Sequence, residues 1–244
     1  MNIVMGNGES RLAVSYDLLA KHTTYGCNAL HRDFNPTALV AIDTKMLHEV
    51  VASGYSKQNK CYFRFFTLME PFHYEMLILT AEGEVFENEK TGYKFAYYGQ
   101  EKEREFYDET QTMDVVAKPQ HWFTWVSEED KIYDLNEIIG DSGSDSGQSA
   151  VDLMCIQEKP EKCYLLGFDL SNNNGKVNNI YKGTHCYAPD YALPVEATRW
   201  TVDLGLIFDK YPQTEFIHVQ DVKIFDTIET ISVKQFINIL ENNG

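Results

Sequence analysis

The chain lacks any apolar run approaching the roughly 18 residues that a membrane-spanning helix needs. Its start carries no basic segment followed by a long apolar core, so neither a bilayer span nor a secretory signal is expected. Positive charge is scarce: 21 Lys and Arg stand against 37 Asp and Glu, for a formal net charge of −16. The cations are scattered and the acids concentrate between residues 82 and 145. Such a field repels polyanions unless a local basic patch exists, so no nucleic-acid partner is expected. There is no CxxC pair and no clustered Cys and His spacing of the zinc-site kind, and no metal is expected. The cysteines Cys27, Cys61, Cys155, Cys163 and Cys186 are odd in number, which fits free thiols in a reducing, cytoplasmic setting better than disulfides.

What is present is alternation. At 244 residues the chain is long enough for one domain of good size carrying an insertion. NIVM, TTYGCNA and ALVAIDT read as short, unalternating strands covered on both faces. KMLHEVVASGY reads as a helix, with Met46, Leu47, Val50 and Val51 on one face and Gly54 as its stop. KCYFRFF continues the sheet. AVDLMCIQE then gives a helix opened by SDSGQS, KCYLLGFDL a buried strand, and VEATRWTVDLGLIFDKY an amphipathic helix. EFIHVQD reads as the last strand and VKQFINIL as a closing helix. Strand-helix alternation of this kind predicts an α/β, Rossmann-like, mostly parallel sheet with helices on both faces. Residues 61–135 break the pattern. TAEGEVF and EKTGYKF look like hairpins, and Tyr93, Phe95, Tyr97, Tyr98, Trp122 and Trp125 make the segment aromatic. It reads as an antiparallel flap packing on the core, or as a lid over a ligand, within a single domain spanning 1–244.

In an open parallel sheet, ligands bind beyond the carboxyl ends of the strands. The strand ends here are a coherent polar set. Gly6-Asn7-Gly8 follows the first strand, Asn28 the second and Asp43 the third; Gly167 and Asp169 end the late strand, and Ser146-Gly147 opens a helix. Glycines let backbone amides approach an anion, and a helix start favours phosphate. A plain strand-ending turn is the other reading of the same glycines.

The order GNGES, YGCNALHRDF, Ser-Gly at a helix start, LLGFDL and GKVNNIYKGT resembles the metal-independent, Rossmann-like bacterial sialyltransferases. It also resembles a group of proteins from tailed phages of marine bacteria. The resemblance covers about residues 1–60 and 140–220. It implies glycosyl transfer from a CMP-activated sugar, bound as substrate without a further cofactor, to a glycan or small acceptor. Asn7, Gly8 and Ser10 would contact the nucleotide with Gly6, Asn28 its ribose or phosphate side, and Ser146 and Gly147 the donor. Gly167 and Asp169 would border the cytidine, with Asp43 at the same edge. His185 would be the base that takes the acceptor proton, and Tyr181 and Tyr187 would steady the leaving phosphate. The resemblance leaves a homo-oligomer open and implies the host-cell cytoplasm for a phage-encoded chain.

Two departures keep other readings in play. Ile138-Ile139-Gly140-Asp141 stands where that family carries an arginine, and Leu170-Ser171 where it carries a tyrosine. Their loss favours a non-catalytic virion or host-interaction protein retaining the fold. A hydroxymethylpterin pyrophosphokinase-like enzyme, needing Mg²⁺ held by acids such as Asp43 and Asp169, is the third reading. His31-Arg32-Asp33-Phe34 reads as a salt-bridged turn or as a phosphate contact through Arg32.

Overall fold

Short apolar runs form strands here because both faces of the sheet are covered. In β1 (Asn2–Met5) Ile3 and Met5 face one side and Val4 the other, all fully buried. The alternation recurs in β3 (Ala38–Ala41), β4 (Cys61–Phe63), β6 (Lys162–Leu166) and β7 (Glu215–Val219). The computed structural model describes residues 1–64, 129–140, 144–170, 178–193 and 197–243, with the backbone of five short strands between 84 and 124.

β2 (Thr23–Cys27), β5 (Ile132–Asp134) and β8 (Glu229–Ile231) complete an eight-stranded sheet in the order β5-β4-β3-β2-β1-β6-β7-β8. Every pairing in it is parallel. One face is covered by α2 (Thr44–Ala52) and α7 (Val233–Asn242), through Met46, Leu47, Val50, Val51, Phe236 and Leu240. The other is covered by α4 (Leu135–Ile139), α5 (Ser146–Glu158) and α6 (Thr198–Lys210). The short helices α1 (Tyr16–Leu19) and α3 (Tyr55–Gln58) link strands. This is a Rossmann-like α/β fold with helices on both faces. Gly54 ends α2 as expected, at φ +77°.

Strands β1 to β5 step outward to one side of β1. The chain then returns through α4 and α5 to lay β6 against the other side. Chain direction across the sheet therefore reverses between β1 and β6, and a crevice opens beyond their carboxyl ends.

Two parts of the sheet differ from the sequence reading. EFIHVQD is not the last strand, and Ile132–Asp134 belongs to the main sheet rather than to the aromatic segment. Both missed strands are three-residue edges, too short for a periodicity to mark them. Between β4 and β5, Lys94–Tyr98 pairs antiparallel with Glu84–Glu87 and His121–Thr124, and Glu105–Tyr107 with Met113–Val115. The aromatic side chains read there as a packing face or lid lie outside the described residues. Among the described residues no helix is long and apolar enough to cross a membrane.

Candidate functional site

The turns after β1 and β6 pack backbone to backbone. Gly6 N donates to Leu166 O and Gly8 N to Gly167 O, each at 2.8 Å. A Cβ on Gly6 would sit 2.4 Å from the Gly167 carbonyl oxygen, and one on Gly8 2.4 Å from the Asp169 carboxyl carbon. Gly167 itself is left-handed, at φ +74°. The next amides are also engaged: Glu9 N donates to Asn178 Oδ1 at 2.9 Å, and Ser10 N to Asp169 Oδ2 at 3.0 Å. The glycines thus serve turn-on-turn contact, and the amides of Gly6, Gly8, Glu9 and Ser10 are not free for an anion. These four amides therefore do not contribute to the phosphate cradle expected of the first turn.

Beneath that turn lies Arg11, fully buried, a residue the sequence reading passed over. Its guanidinium donates to Gly6 O at 2.7 Å, Asn7 Oδ1 at 3.1 Å and the Tyr181 hydroxyl at 2.8 Å. No carboxylate lies within ion-pair distance of it among the described residues. On the neighbouring strand, buried His218 donates from Nε2 to the Phe168 carbonyl at 2.8 Å, fixing the second turn.

Across the crevice lies the start of α5. Asp145 is the residue before the helix, but its side chain does not cap it; the carboxylate accepts from Trp200 Nε1 instead. Ser146 Oγ accepts from Ile42 N at 3.1 Å, tying the helix start to the end of β3. The first-turn amides of a helix have no intrahelical acceptor, and those of Ser146, Gly147 and Gln148 border the cleft.

The result is a cleft of about 330 Å³, within the range of small-molecule sites. Its wall brings together Gly6, Asn7, Gly8, Asn28, Asp43, Ser146, Gly147, Gly167 and Asp169. Ser10 is not in that wall: its hydroxyl and amide hold Asp169, whose carboxylate caps the turn at Glu9–Ala13. Phe168, Asp145, Gln148, Asn178, Asn179 and Trp200 line the cleft without having been singled out for contact. Trp200 sits in the amphipathic helix α6, and its indole N–H partner, Asp145, far away in sequence, marks it as cleft wall. Two non-glycine residues of the wall, Asn28 (φ +53°) and Leu170 (φ +47°), are left-handed. Such strain concentrates at functional sites. Asn28 Oδ1 is enclosed with no hydrogen-bond partner among the described residues. Partial burial, and then the Asp145 charge, raise the Asp43 pKa above its ordinary value.

The expected catalytic trio lies elsewhere. Tyr187 accepts at its hydroxyl from Asn7 Nδ2 at 3.1 Å and Ala29 N at 3.3 Å, so it buttresses the wall from behind. Tyr181 donates to Asp33 Oδ2 at 2.6 Å and packs between the guanidinium groups of Arg11 and Arg32. Burial raises the pKa of both phenols. His185 is 57% exposed and does not line the cleft; its Nδ1 meets Glu49 Oε2 at 2.8 Å. Arg32 is committed to the same carboxylate, with Nε and Nη2 each 2.7 Å from its oxygens, which makes HRDF a salt-bridged turn. Burial opposes ionisation of Glu49, but hydrogen bonds from Arg32 and His185 outweigh it and bring its pKa to about 2.

No protein-family model, curated protein or solved structure matches this chain.

Proposed function

We propose that the chain binds a nucleotide-activated sugar in the switch-point cleft and transfers the sugar to a hydroxyl acceptor, as the resemblance to CMP-sugar glycosyltransferases implies. The observation that carries the reading is the meeting of the β1 and β6 turns with the uncapped start of α5 around one cavity. Phosphate suits the α5 amides and the helix dipole. The buried Arg11 charge, with no carboxylate in ion-pair distance among the described residues, adds positive potential under the floor. Asn28 Oδ1 is a ready acceptor for a ribose hydroxyl or a base amino group. Phe168 and Trp200 give apolar wall for a ring.

A base for the acceptor proton must reach the reacting oxygen. Asp43, in the wall and with a raised pKa, meets that requirement better than His185. The pairing of Asp43 with Asp145 also favours a second reading, a kinase-like enzyme whose nucleotide carries a divalent cation.

A thermal-shift panel of CMP, CDP, UDP, ADP and ATP, each with and without Mg²⁺, separates these readings. Stabilisation by CMP without Mg²⁺ supports the transferase. Stabilisation by ATP only with Mg²⁺ replaces it with the kinase, and no stabilisation by any nucleotide overturns both. Asp43→Asn is expected to lose donor turnover while keeping CMP binding.

A further inference from the structure

The loop that follows the cleft wall carries a second cluster of chemistry. Gly183 N donates to Ala188 O at 2.8 Å, Thr184 N to Tyr181 O at 3.0 Å and Tyr187 N to Thr184 O at 3.1 Å. These bonds close a tight loop with His185 and Cys186 at its tip. Consecutive side chains ordinarily diverge, but Cys186 is left-handed at φ +69°, and both side chains turn toward Glu49 on α2. Cys186 Sγ lies 3.2 Å from His185 Nδ1 and 3.5 Å from Glu49 Oε2; His185 Nδ1 lies 2.8 Å from the same oxygen.

We propose that Glu49 Oε2, His185 Nδ1 and Cys186 Sγ form a three-ligand site for a divalent transition-metal ion of the Zn²⁺ class, with a fourth position open to water. The inference is independent of what the cleft binds. In tetrahedral zinc geometry, metal–ligand bonds of about 2.0–2.3 Å give ligand–ligand edges of about 3.3–3.6 Å. The Cys186–Glu49 separation already fits, and the other two need openings of at most about half an ångström to complete one face of that tetrahedron. At present two donors, the thiol and the imidazole N–H, converge on one carboxylate oxygen. A single cation takes the place of both: the thiol proton leaves to solvent, and the imidazole proton moves to Nε2. No electron is transferred.

The surroundings fit. Arg32 grips both oxygens of Glu49 and fixes the carboxylate plane, as outer-shell partners of metal ligands do. A thiolate–imidazole–carboxylate set selects a borderline-soft ion over Mg²⁺ or Ca²⁺. His185 is more than half exposed, so an ion has a path in. The other four cysteines are buried, which leaves Cys186 as the accessible thiol. The bound ion would clamp the 178–193 loop, and with it Asn178 and Asn179 of the cleft wall, to α2.

Metal-free full-length protein titrated with Co²⁺ tests this, because thiolate ligation gives a charge-transfer band in the near ultraviolet. The band is expected to saturate at one Co²⁺ per chain and to bleach when Zn²⁺ displaces it. It should vanish in Cys186→Ser, and Co²⁺ affinity should fall about 10–100-fold in Arg32→Gln. Cys186→His guards against a folding artefact: it should still take up Zn²⁺, measured by elemental analysis after desalting, yet show no charge-transfer band with Co²⁺. Absence of the band in wild type, or its persistence in Cys186→Ser, overturns the site.

Discussion

The turn after β1 and the start of α5 look alike as sequence, each setting glycine among small polar residues. They behave in opposite ways. In the turn, the amides of Gly6 and Gly8 meet carbonyls of the β6 turn, and a Cβ would meet the Gly167 carbonyl at Gly6 and the Asp169 carboxylate at Gly8. At the helix start the preceding residue, Asp145, gives no side-chain cap, and a Cβ on Gly147 would meet only the edge of the Phe168 ring, at 3.2 Å. Composition alone does not make an anion site; the partner of each amide does.

Substitution at the two glycines is the sharpest way to break this contrast. Gly6→Ala is expected to cost about 4 kcal/mol or more, since the new methyl meets a carbonyl that cannot swing away. Gly147→Ala should fall within about 1 kcal/mol of wild type, the ring contact being offset by better helix propensity. Urea denaturation of both variants checks the pair, and equal costs would remove the distinction.

Next in size is the anchor of the neighbouring loop. Glu49 has a depressed pKa of about 2, so its contribution is full above the ordinary carboxylate range and is lost as pH falls through that value. Glu49→Gln should destabilise by about 2 kcal/mol at neutral pH, with the gap to wild type closing toward pH 2; a gap independent of pH would contradict the ion-pair account.

Ser10→Ala should cost about 1–2 kcal/mol by leaving the Asp169 carboxylate with one partner fewer. Its CMP affinity, followed by calorimetric titration, should stay within about twofold of wild type, because Ser10 faces Asp169 and not the cleft.

The smallest effect belongs to Asp43. A carboxyl whose folded pKa is raised costs stability once pH exceeds that pKa, and the cost disappears below its unfolded pKa. Asp43→Asn should therefore stabilise slightly at neutral pH, by about 0.5 kcal/mol or less, and not at all in acid. Denaturant midpoints at two pH values measure the sign.

Much of the architecture was legible because its signals are local. Ile3, Val4 and Met5, or Leu165 and Leu166, are apolar without alternation, which only a sheet covered on both faces explains. Glycine and aspartate at the strand ends marked the edge at which the cleft forms. What escaped depends on partners far apart in sequence. Nothing local says that Arg11 is buried under Gly6, or that Trp200 turns its N–H to Asp145. The resemblance implies Ser10 as a nucleotide contact, yet Asp169 claims it. The resemblance implies His185 as the base; the chain instead brings it to Glu49 and Cys186, a convergence from positions 49, 185 and 186 that spacing does not encode.

The most direct test follows backbone amides by ¹H–¹⁵N correlation spectra while CMP is added to full-length protein. Shifts are expected at Ser146, Gly147 and Gln148, with those of Gly6, Gly8, Glu9 and Ser10 smaller because their hydrogen bonds stay intact. A spectrum unchanged at saturating CMP, or shifts centred away from the α5 start, would contradict the account.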